Sequence, residues 1–164
     1  MSSPSTQPNP QLQRAQELFN GLSQGRKVVL IASVVGFIAS LLPWYKVSAG
    51  TSLYSVSDSI NGWHGWGWIT SLLFIVGAVW VLLPAFGVSL RNLLASLPPA
   101  ATEPRLVMGI GAVAALCTLL FMATEGPSVS GAGISAGPSF GAYIGLICAI
   151  AIAAGGYLVQ NERS

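Results

Sequence analysis

Four stretches of the chain, residues 28–45, 66–88, 106–123 and 139–159, contain no charged side chain. An α-helix rises about 1.5 Å per residue, so roughly 20 apolar residues cross the ~30 Å hydrocarbon layer of a bilayer. Each run lies near that length. The pattern predicts an all-α membrane protein, a four-transmembrane-helix bundle with spans at about those positions. Composition points the same way: 7% of the 164 residues are charged and 52% are hydrophobic, where a soluble domain carries about 25% charged residues. Seven basic and five acidic side chains are too few to coat a water-facing domain of this size. The lipid bilayer is therefore the expected partner. The net charge of +2 is too small and too scattered for nucleic acid.

The segments outside these runs set the organisation: residues 1–25 as a tail, 26–159 as the transmembrane domain, and 160–164 as a second tail. Residues 1–10 are mostly Ser, Pro, Gln and Asn and are expected to be disordered. Leu12, Ala15, Leu18, Phe19 and Leu22 then recur at helical spacing among Gln13, Arg14, Gln16 and Glu17. This reads either as a short amphipathic helix on the cytoplasmic bilayer surface or as a frayed helical tail. Leu90, Leu93, Leu94 and Leu97, ahead of Pro98 and Pro99, predict a second short interfacial helix. Val47, Ser48 and Ala49 resemble a signal-peptide cleavage site. The long segment before the first apolar run, and the length of that run, favour an uncleaved anchor.

Basic residues give the orientation. Four crossings would put Arg14, Arg26, Lys27, Arg91, Arg105 and Arg163 on one side and Lys46 alone on the other. By the positive-inside rule both termini are cytoplasmic, in a multi-pass plasma-membrane protein. The two outer segments, 46–63 and 124–138, are rich in Ser, Thr and Gly. Alternation at Ser52–Ser57 and at Val129–Ser130 leaves two readings open, short strands forming a small sheet or flexible glycine-rich loops.

Three groups of residues are candidates for function. Gly137, Gly141, Gly145, Ala149 and Ala153 follow one another at four-residue spacing, a small-residue face on the last helix. Such faces let helix backbones approach closely in lipid, within one bundle or against a membrane-protein partner or second copy. Trp44, Tyr45, Trp63, Trp66 and Trp68 sit at the outer ends of the first two runs and are expected to anchor at the membrane interface. His64, Asp58 and Glu125 are the outer polar candidates, with His64 too isolated for a zinc site. Cys117 and Cys148 lie deep in apolar runs and read as buried apolar side chains. Ser33, Ser40, Ser71 and Thr118, the main polar residues of the runs, are expected to bond to their own helix backbone.

No phosphate loop, paired acidic site or nucleophile with a base is visible, so no catalytic, metal or cofactor residues are assigned and an enzyme is not expected. Leu41-Leu42-Pro43-Trp44-Tyr45, Asn61-Gly62-Trp63, Gly65-Trp66-Gly67 and Gly141-Ala142-Tyr143 together resemble a loose group of small four-helix membrane proteins of actinobacteria, over most of residues 26–159. That resemblance implies a topology and no activity. The layout is also similar to the claudin-like tetraspan plan, but the paired cysteines of its first outer loop are missing. The expected function is a non-catalytic accessory or scaffold protein acting through helix packing with a partner or itself. A small oligomeric pore or transporter is the alternative.

Overall fold

The computed structural model describes residues 10–51, 54–95, 98, 102–125 and 134–162. In chain order these form α1 (Pro10–Asn20), α2 (Gln24–Ser40), β1 (Pro43–Thr51), β2 (Tyr54–Asn61), α3 (Gly67–Leu82), a 3-10 turn (Leu83–Phe86), α4 (Leu90–Ala95), α5 (Glu103–Thr124), β3 (Ile134–Pro138) and α6 (Phe140–Asn161). The fold is therefore not all-α. A three-stranded antiparallel sheet of order β2-β1-β3 stands at one end of the helices, and the outer segments that left two readings open supply its strands. Val129, Ser130, Leu97, Arg163 and residues 1–9 lie outside the described residues.

The four-span expectation also fails on length. Among the described residues only α5 and α6 are long and apolar enough to cross a membrane; at 22 residues each they extend about 33 Å. The run at 28–45 does not form one helix. α2 begins where the Ser23 side chain accepts from the Arg26 amide and ends at Ser40, because Pro43 disfavours helical backbone just before it and supplies no N–H. Its 17 residues reach about 25 Å. The run at 66–88 is shortened by Pro84: α3 stops at Leu82, and the 3-10 turn is closed by Gly87 at φ 76°.

The helices pack as a ring, with α6 against α2 and α5, and α3 against the same two from the other side. Val29, Phe74, Ala114, Phe121, Ala149 and Ile152 fill the centre. The outward faces of all four are apolar and exposed, including Ile31, Val34, Ile38, Leu72, Val76, Leu116, Leu119, Ile147 and Ile150. α1 is amphipathic and buries none of its residues. α4 covers the first part of the interfacial helix predicted after the second run.

Candidate functional site

The sheet is joined to the helices by one side chain. Register shifts between Pro43 and Tyr45: Pro43 pairs with Asn61 and Tyr45 with Ile60. Trp44 is the extra residue of a β-bulge, the device by which a strand re-aims a side chain. Consecutive residues Trp44 and Tyr45 can thus both turn inward, and they are 0% and 6% exposed. Neither is an interfacial anchor. Both belong to the core.

The Trp44 indole N–H donates to the Ala39 carbonyl at 2.8 Å, and the ring meets Phe121 edge-on with centroids 5.3 Å apart. The slot around it is made of glycines. A Cβ on Gly62 would lie 2.6 Å from the indole, and one on Gly145 would lie 2.8 Å from it. On Gly141 it would meet the Pro43 carbonyl at 2.6 Å. The backbone completes the joint, with the Ser139 amide donating to Trp44 O at 2.7 Å and the Gly62 amide to Ser40 O at 2.9 Å. Ser71 Oγ donates to the Gly62 carbonyl at 2.8 Å.

The small-residue face is accounted for by these internal contacts. Gly141 and Gly145 hold Trp44 and its strand. Ala149 is fully buried, and the backbone at Ala153 lies against Gly111 of α5. Gly137 is not on the helix. It lies in β3, where a Cβ would meet nothing within 4 Å.

Trp63, Trp66 and Trp68 are exposed around the start of α3. Trp63 packs edge-on against Phe37, with centroids 6.5 Å apart. His64 is exposed and its Nδ1 lies 3.1 Å from Asn61 Oδ1. Asp58 and Glu125, isolated acids in the sequence, come together: both line a pocket of about 160 Å³ at the junction of sheet and helices, with Tyr45, Val47, Ser59 and Ile60. The register explains the composition of this wall. Cross-strand partners share a face of the sheet, and Asp58 opposes Val47 while Ile60 opposes Tyr45. Lys46, between Tyr45 and Val47, belongs to the opposite face. Glu125 arrives from the end of α5. Its carboxylate fills the space where a Cβ of Gly65 would stand, and Gly65 has φ +49°.

The other end of the molecule carries the basic residues and a polar clasp that sequence reasoning missed. Arg26 Nη2 donates to Glu103 Oε1 at 2.6 Å and Arg26 Nε donates to the same oxygen at 3.1 Å. Glu162, just past α6, accepts from the Gly25 amide at 3.0 Å. Hydrogen bonds from Ser23 and then Gly25 hold its carboxyl below the usual carboxylate range. No local pattern signals a pair 77 positions apart in sequence. Beside this clasp lies an apolar groove of about 510 Å³ between α1, α2 and the end of α3, with Leu18, Phe19, Leu22 and Leu30 among its walls.

Within the ring four hydroxyls, those of Thr70, Thr118, Ser40 and Ser71, are closed on backbone or on each other. Thr118 Oγ1 donates to Ala114 O at 2.9 Å, and Thr70 Oγ1 reaches the same carbonyl at 3.2 Å. Ser40 bonds to Phe37 O and Ser71 to Gly67 O. Ser33 Oγ is buried without a hydrogen-bond partner among the described residues. Cys117 and Cys148 are free and buried. The chain matches no protein-family model, and no curated protein matches it.

Proposed function

We propose that this chain is a non-catalytic accessory or scaffold protein of a bacterial plasma membrane, with α5 and α6 crossing the bilayer and the sheet held outside. The observation that carries the reading is the belt of exposed apolar side chains on the outer faces of the helices. A water-soluble monomer rarely exposes apolar patches beyond a few hundred Å². At one end the belt stops at Arg14, Arg26, Lys27 and Arg105, and at the other it stops at the sheet, whose one basic residue is Lys46. The positive-inside rule then assigns the clasp end, with both chain ends, to the cytoplasm.

Because the small-residue face of α6 holds Trp44 and α5, the surface left for a partner is the outer one: the exposed rings of Trp63, Trp66 and Trp68 and the rim of the sheet. Aromatic rings at such a rim serve membrane anchoring and protein contact alike. Thr70, Thr118, Ser40 and Ser71 spend their hydroxyls on one another and on the backbone, which favours a scaffold over a conduit through one copy. The test is affinity purification of the tagged protein from its native membrane in mild detergent, with mass spectrometry of what co-elutes. A stoichiometric membrane partner supports the accessory role. A homo-oligomer with nothing else bound shifts the reading to a small pore or transporter, and flux assays in liposomes decide it.

A further inference from the structure

We propose that the apolar groove between α1, α2 and the end of α3 holds an acyl chain of an anionic phospholipid, with the lipid phosphate against Lys27, an inference that rests on the placement of the helices in a bilayer. The groove has a volume of about 510 Å³, within the range of about 300–1,000 Å³ usual for small-molecule sites. Leu18, Leu22, Leu30, Val81 and Leu82 make its walls apolar.

The groove continues the exposed apolar belt. Leu30 lines it, and Val34, one turn further along the same face of α2, is exposed in the belt. The other wall is α1, which buries none of its residues and leaves Leu12 and Leu18 63% and 53% exposed. An amphipathic helix whose apolar stripe meets no protein core is covered by acyl chains at the bilayer boundary. Hydrocarbon is what both walls of the groove lack.

Charge chooses the headgroup. Arg26 also lines the groove, but its guanidinium is committed to Glu103. On α1, Arg14 and Glu17 stand three residues apart on an exposed helix and offset one another. Lys27 is the charge left over. Its Nζ lies 5.5 Å from the centre of the Phe19 ring, which lines the groove, and it forms no ion pair among the described residues. One uncompensated ammonium at the groove edge, at the basic end of the molecule, complements the negative charge of a phosphodiester. In a zwitterionic lipid the headgroup carries its own cation to that phosphate, so the complement is a lipid with a net negative headgroup.

The test uses the full-length protein reconstituted into phosphatidylcholine vesicles. These carry a trace of phospholipid with a photoreactive diazirine in one acyl chain, under either a phosphatidylglycerol or a phosphatidylcholine headgroup. After illumination, adducts are mapped by peptide mass spectrometry. Leu18, Leu22 and Leu30 are expected to be labelled about fivefold more by the phosphatidylglycerol probe, the size of one basic residue's attraction to anionic lipid. Ile147 and Ile150, exposed in the belt on α6, should take both probes equally. Lys27→Gln removes the preference in the groove, Lys27→Arg keeps it, and Glu17→Gln, which removes the acid from the groove wall, raises it. None of these side chains lies in the core, so each variant keeps the parent melting temperature. Belt adducts without groove adducts overturn the site, leave the membrane placement standing and point to a second copy of the chain as what fills the groove. Groove labelling indifferent to the headgroup or to Lys27→Gln overturns it as well. Absence of belt adducts with both probes removes the membrane placement and the site together.

Discussion

Trp44 is the residue on which sheet and helices depend together. It sits in a strand, bonds to the preceding helix and occupies a slot cut from Gly62, Gly141 and Gly145. Truncating it to alanine opens a cavity where three elements meet and is expected to cost about 3–5 kcal/mol. Gly145→Leu forces a side chain into the indole and is expected to lower stability by roughly 1–3 kcal/mol or more. Both show as lower melting temperatures in detergent, and an unchanged value for Gly145→Leu would remove the slot from this account. At the other end, Arg26→Ala removes a guanidinium that donates twice to Glu103, 5% exposed. Losing a hydrogen-bonded charged partner costs about 1.5–3 kcal/mol, so the variant should melt at a lower temperature in detergent than the parent. Glu162 gives a pH dependence of definite sign. Its carboxyl is held low in the folded protein, so its contribution is present above the unfolded carboxylate value and is lost as pH falls through the lower, folded one. Protection of the Gly25 amide from hydrogen exchange, taken relative to the intrinsic rate at each pH, is expected to fall across that acid window, and Glu162→Gln should abolish this change.

Among the elements, α5 and α6 were legible from hydropathy alone because each is apolar over its whole length, with Pro104 opening one and Ser139 preceding the other. The small-residue spacing on α6 was also legible, though not which surface would meet it. The sheet was legible only as one of two readings of the outer segments, for three physical reasons. Its first strand begins inside an apolar run that otherwise reads as helix. The bulge at Trp44 places two large aromatic residues side by side and breaks the alternation by which strands are recognised. Two adjacent aromatics after a proline also look like a membrane-interface girdle, a pattern that burial in a core imitates. The pocket was legible only as fragments. Asp58 and Glu125 stood out as lone acids, but their meeting depends on strand register and on where α5 ends, and neither is written locally in the sequence.

For the whole molecule, the arrangement of charge predicts which end is outside. Ser57→Cys, exposed on β2, should react with an impermeant thiol reagent in intact cells, whereas Gln160→Cys, exposed near the end of α6, should react only after permeabilisation. The native Cys117 and Cys148 are buried and leave the background low. The opposite labelling would reverse the orientation, and labelling of both sites in intact cells would remove the membrane reading.

The pairing of β1 with β3 also has a consequence in time. Val47 meets Ala136, and the glycines that receive Trp44 from α6 lie farther along still. A chain emerging from the ribosome therefore presents its first hairpin with one flank unpaired and its central indole without a complete socket, until β3 and the start of α6 have been made. These later segments supply both the missing strand and most of the socket. Completion of the sheet thereby waits on residues far downstream of its central strand, and a product cut short before β3 would keep a sticky edge open to pairing with other chains.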